Sequence, residues 1–217
     1  MKVLSHLLSW VFLPLFMPLY GLLIAMYVPS SPESLVSNDS LFLMVEQNKW
    51  VVLFMFMVFS AILPGLSFVF LRTMNIITTI DMESKRERLI PMLIMLSFCL
   101  VLYFLLLIKA HDHMLPKYIY ALPLAGVFVT ASYTLINRWI KISLHAGGAG
   151  ILSGFIFAYS LNQATFEFWT IIFVILASGL TIMARLFLRK HTPTEVYTGW
   201  SLAVLITFLI NFYYPIG

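Results

Sequence analysis

The sequence predicts an all-α, polytopic transmembrane helical bundle, and three observations carry that expectation. The chain is 61% hydrophobic with a mean hydropathy of +0.97, too apolar for a soluble domain of its size. Its apolar residues fall in uninterrupted runs of roughly 17–25 residues, the length a helix needs to cross a bilayer. Only 10% of its 217 residues are charged, and these gather in short islands between the runs.

About seven spans (six to seven) are expected, and they justify themselves in order. The first, about 7–28, follows a single lysine; it is too long for a signal peptide and shows no small-residue cleavage site, so it is a retained span. The second, about 50–71, opens at Trp50. The third, about 91–108, contains Cys99, the single cysteine, which excludes a disulfide and reads as a buried, unreactive thiol. The fourth covers about 118–136 and the fifth about 146–161, the shortest and richest in glycine. The sixth, about 168–187, and the seventh, about 196–212, flank the densest polar island. Pro14, Pro18, Pro64 and Pro123 sit inside spans, where they kink helices rather than end them. Met, Phe and Leu are assigned to lipid-facing positions. Trp50, Tyr118, Trp139, Trp169, Tyr213 and Tyr214 lie near span ends, as interface anchors do. One integral membrane domain covers 1–217, with no soluble domain, low-complexity tract or internal repeat.

Alternation of seven spans places the connections on two faces. The N-terminus and the connections around 72–90, 137–145 and 185–195 share one; 29–49, 109–117, 162–167 and the C-terminus share the other. The first face carries ten cations, from Lys2, Arg72 and Lys85 to Arg189 and Lys190. The second carries only Lys49, Lys109 and Lys117, so the positive-inside rule would make the first face cytoplasmic, unless several of those cations are placed for catalysis rather than orientation. The basic pI of about 9.2 therefore needs no nucleic-acid partner.

The chemistry is expected where polar residues converge. The island at 184–199, ARLFLRKHTPTEVYTG, contains Arg185, His191 and Glu195. A second cluster, RWIKISLHAGGAG at 138–150, offers Lys141, Ser143 and His145, and a third, DMESKRERLIP at 81–91, offers Lys85, Arg86 and Arg88. Two spans separate each cluster from the next, so all three emerge on the first face. Guanidiniums and the backbone amides of helix N-termini suit a phosphate. One histidine can attack phosphorus while a second protonates the leaving oxygen.

The last island resembles the final signature of the type 2 phosphatidic acid phosphatase family (lipid phosphate phosphatases and relatives of vanadium haloperoxidases). It has Arg185, five residues, His191, three residues, then Glu195, where the family has Ser-Arg, five residues, His, three residues, Asp. Ile142-Ser143-Leu144-His145-Ala146 resembles the family's Pro-Ser-Gly-His-Ala, and Lys85 to Pro91 loosely resembles its Lys, six residues, Arg-Pro. The similarity spans residues 72–205, the expected phosphatase-like core. Ala184, Ile142, Leu144 and Glu195 depart from the family pattern. The resemblance implies a hydrolase of lipid phosphomonoesters or diphosphates, with His191 as nucleophile, Glu195 orienting its ring and His145 as general acid and base. Lys85, Arg88, Arg185, Lys141 and Ser143 would bind phosphate, with no metal and no cofactor. The expected partners are a lipid phosphate and membrane lipids, with no nucleic acid, and the expected location is a bacterial inner membrane.

Other readings compete. Thr192-Pro193-Thr194-Glu195 is also a capping box with proline at the first helical position, which would turn Glu195 to backbone. Arg86, Arg138, Arg189 and Lys190 suit topology and headgroup anchoring, and Asp81, Glu83 and Glu87 suit pairing with nearby cations. Gly147 and Gly148 suit phosphate or helix packing, Gly150 and Gly154 packing. His111-Asp112-His113 lies on the opposite face without a fourth metal ligand. A phosphoryl or headgroup transferase, or a non-catalytic lipid-phosphate carrier, would use the same cations.

Overall fold

The computed structural model describes residues 2–32, 39–78, 82, 84–109 and 115–215. Seven helical spans long and apolar enough to cross a membrane run over Lys2–Tyr27, Glu46–Thr73, Lys85–Lys109, Lys117–Ile136, Leu144–Leu161, Phe168–Phe187 and Pro193–Tyr213. The chain is an all-α polytopic bundle, with each span close to its expected position.

Two spans are broken, both at prolines. The first divides into α1 (Lys2–Val11), a 3-10 turn at Pro14–Phe16 and α2 (Met17–Tyr27). Pro14 has no N–H to give the preceding turn, so the helix restarts there. The second runs as α3 (Glu46–Phe56), a π-helical stretch at Met57–Ile62 and α4 (Leu63–Thr73), whose first turn contains Pro64. The widened turn accommodates the donor that proline lacks. The remaining spans are single helices: α5 (Lys85–Lys109), α6 (Lys117–Ile136), α7 (Leu144–Leu161), α8 (Phe168–Phe187) and α9 (Pro193–Tyr213).

The bundle is organised around α7. It is 67% buried, against 22–39% for the apolar stretches of the other spans. Small residues explain this. A methyl group at Gly150 would lie 2.6 Å from the Trp200 carbonyl oxygen, and one at Gly154 would lie 2.5 Å from that of Val204. Helices α7 and α9 therefore pack backbone to backbone, as small residues permit where lipid supplies no hydrophobic drive.

At the second face, β1 (Ser30–Pro32) pairs antiparallel with β2 (Gln163–Phe166), so the connections 29–49 and 162–167 meet as alternation requires. The Tyr159 hydroxyl lies beneath this ribbon, 2.8 Å from Ser30 Oγ and 3.1 Å from the Leu41 amide that donates to it. Tyr118 corrects its expected role as an interface anchor. It is fully buried, edge-on to Phe155 and Tyr159, because an aromatic cluster under the ribbon encloses it. Trp50, Trp139, Trp169 and Tyr213 are exposed, as anchors should be. Glu87 also departs from expectation: it accepts from the Thr78 amide and hydroxyl rather than from a cation. Asp81, Glu83 and the His111-Asp112-His113 triplet lie outside the described residues.

Candidate active site

The three connections of the first face are tied together by hydrogen bonds. Arg88, in the first turn of α5, is 2% exposed. Its Nε donates to the Met82 carbonyl at 2.9 Å and one Nη to the Ile142 carbonyl. The Asn137 side chain donates to the Lys85 carbonyl at 2.8 Å. The Ser143 amide donates to the Glu195 carbonyl at 3.2 Å, joining the starts of α7 and α9. Two helix N-termini thus open side by side, their positive dipole ends on one face.

Sequence dictates both starts. Ser143 is the N-cap of α7, its hydroxyl accepting from the Ala146 amide at 3.4 Å. Thr192 caps α9, with Pro193 in the first helical position and a complete capping box. Glu195 performs both tasks that its sequence context allowed. Its Oε2 accepts from the Thr192 amide at 3.1 Å and lies 3.0 Å from His191 Nδ1. One carboxylate oxygen can serve two donors, because its lone pairs point in different directions.

His191 is buried, and its pKa is lowered to about 4. Desolvation is the largest cause; the Arg88 charge adds to it, and Arg185 more weakly, while the bond to Glu195 acts in the opposite sense. The ring is therefore neutral at pH 7. With Nδ1–H donated to the carboxylate, the lone pair resides on Nε2. That is the state a nucleophilic imidazole requires.

A cavity of about 910 Å³ receives this ring. Its polar end is lined by Arg88, Arg185, His145 and His191, together with His6 and Arg72. The rest is mostly apolar, walled by side chains such as Phe56, Phe59, Met95, Leu102 and Leu122. The π-helical stretch supplies part of that wall through Phe59, Ser60 and Ala61. Arg185, buried in the last turn of α8, sits where a helix C-terminus favours a cation.

The structure thus gathers His191, Glu195, His145, Arg88 and Arg185, and leaves three expected residues elsewhere. Lys85 is exposed and donates from Nζ to the Trp139 carbonyl at 2.6 Å. Ser143 is buried under its own helix cap, and Lys141 does not line the cavity. Gly147 and Gly148 line it on one side only. A methyl on the first would collide with Tyr133, and on the second with Pro14. Sequence reasoning missed His6 and Arg72. The signal available was a polar residue inside an apolar run and a cation ending a span on the face of the three clusters. No protein-family model, curated protein or solved structure matches this chain.

Proposed function

We propose that this chain is a metal-independent membrane phosphatase that hydrolyses a lipid phosphomonoester or diphosphate through a phosphohistidine on His191. The observation that carries this reading is the His191–Glu195 pair: a buried, neutral imidazole, held at Nδ1 by a carboxylate and flanked by guanidiniums at the polar end of an amphipathic cavity. The likeness of its motifs to the type 2 phosphatidic acid phosphatases supports it further.

In this mechanism Nε2 of His191 attacks phosphorus, and the bond to the lipid oxygen breaks. His145 gives that oxygen its proton. The same histidine then takes a proton from the water that cleaves the N–P bond, which restores the imidazole and releases phosphate. Arg88 and Arg185 bind the equatorial oxygens, over which the transition-state charge is spread. The apolar part of the cavity receives the lipid tail.

The test is phosphate release by purified protein from phosphatidic acid, phosphatidylglycerol phosphate, a polyprenyl diphosphate and a lipid A phosphate. Release should survive EDTA, fail with vanadate and vanish in His191→Ala. Removing the Arg185 donor group should cost on the order of 10²–10³ in rate. Saturable lipid binding without release from any substrate would move the assignment to a carrier.

A further inference from the structure

The cavity is deep and blind, and three helices end it at one layer. Along α5 its lining runs at helical spacing from Arg88 to Leu102, about 21 Å of helix, so one face of α5 forms a continuous wall. Phe56 on α3, Leu102 on α5 and Leu122 on α6 are the last residues of their helices to line it before the second face. All three are buried, and one turn further along each helix lies another buried residue: Leu53, Leu106 and Ile119. These six belong to one packed apolar cluster, so the cavity stops there against solid protein. Its mouth lies to the side. The exposed Trp10 of α1 and Val69 of α4 both line it, while α1 packs chiefly on α8 and α4 on α5. The shaft therefore meets the surrounding lipid between α1 and α4.

A guanidinium-lined end above a blind apolar shaft complements an anionic head carrying an extended chain. We propose that Phe56, Leu102 and Leu122 form a floor that receives the end of one lipid chain and limits the length the site accepts. A phosphate held at Arg88 uses about one turn of the shaft, roughly 5 Å, and leaves about 16 Å below it. An extended chain advances about 1.25 Å per carbon at ordinary C–C lengths and angles, so about 14 carbons reach the floor. That depth also matches the hydrocarbon of one leaflet, about 15 Å. A shorter chain leaves apolar wall without contacts, and a longer one must fold back toward the mouth. That the ligand is a substrate rests on the phosphatase reading above; that a chain end meets the floor does not.

The experiment places full-length protein in phosphatidylcholine vesicles with alkylphosphonates that carry a diazirine on the last carbon. Their C–P bond is one the proposed hydrolysis cannot break. On irradiation the tetradecyl probe should label residues at or beside Phe56, Leu102 and Leu122, and excess unlabelled tetradecylphosphonate should remove that label. The octyl probe should label higher in the shaft, near Met95 and Phe98, and the docosyl probe should not collect at the floor. Gly65 lines the shaft about 10 Å along α4 from Arg72, and a Cβ there meets no atom within 4 Å. Gly65→Phe should therefore lower affinity for the tetradecyl probe relative to the octyl probe by about tenfold. Leu102→Ala should open one further turn, raise affinity for the octadecyl probe relative to the tetradecyl probe by about tenfold, and move the label to Leu106. Gly65→Phe carries the test alone if Leu102→Ala does not fold. Floor label that ignores chain length, label on lipid-facing residues only, or unchanged affinity ratios overturn the floor. Floor label without phosphate release from tetradecyl phosphate upholds the floor and refutes only the phosphatase reading.

Discussion

At the scale of residues, Glu195 is the point where folding and chemistry share one atom. Its Oε2 closes the capping box and holds His191 Nδ1. The two roles separate by mutation. Thr192→Ala removes the cap while sparing the imidazole contact, and should lower stability by about 1 kcal/mol with activity largely retained. Glu195→Ala should remove both, and thermal unfolding beside phosphate-release assays distinguishes them. The His191 ring makes a second prediction. Its folded pKa of about 4 lies below the ordinary 6.5, so between those values the unfolded chain binds more protons. Stability should fall as pH drops through that window, and the ring should titrate near 4 in nitrogen-15 NMR spectra; a midpoint near 6.5 would refute its burial. Arg185, His191 and Glu195 were legible through their resemblance to a family signature, and the i to i+4 spacing of His191 and Glu195 across a helix start fits the contact the structure shows. The destinations of Lys85 and Lys141 were not legible. A long flexible cation takes whichever carbonyl the neighbouring connection presents, here Trp139 for Lys85, and only tertiary structure brings that carbonyl near.

At the scale of elements, the site depends on how closely α7 meets α9. Ser143 and His145 stand at the start of one helix and Glu195 at the start of the other, joined by the Ser143–Glu195 backbone bond. Gly154→Leu should force the helices apart at Val204, destabilise the protein by about 1–3 kcal/mol and lower activity although no site residue has changed. Unchanged stability and turnover would show that the crossing is looser than its contacts imply. The glycine run announced close packing from sequence. Its partner helix was not readable, since glycine spacing says that something approaches and not what. Pro14 and Pro64 announced kinks rather than the interruptions observed, and whether proline yields a 3-10 turn or a π-helical stretch depends on what packs around it.

At the scale of the molecule, hydropathy sufficed to order the seven spans, and alternation placed three polar connections together. The β1–β2 ribbon was invisible, because strands of three and four residues carry too little pattern to stand out in a loop. The charge asymmetry also survives the structure. With Arg72, Arg88 and Arg185 assigned to the cavity and Lys85 to a tether, the first face keeps Lys2, Arg86, Arg138, Lys141, Arg189 and Lys190. These still outnumber the three lysines opposite, so the site should face the cytoplasm. Arg138→Cys in a Cys99→Ser background should react with an impermeant maleimide in inside-out vesicles and not in right-side-out ones. The reverse would place the cavity mouth outside.

Everything turns on a covalent bond between phosphorus and His191. Purified protein mixed with a terminally ³²P-labelled lipid phosphate, quenched within one turnover and digested under alkaline conditions, reads that bond directly. The expected result is acid-labile label on the peptide containing His191, with none in His191→Ala. Phosphate released by the His191→Ala protein, or label on any other residue, would contradict it.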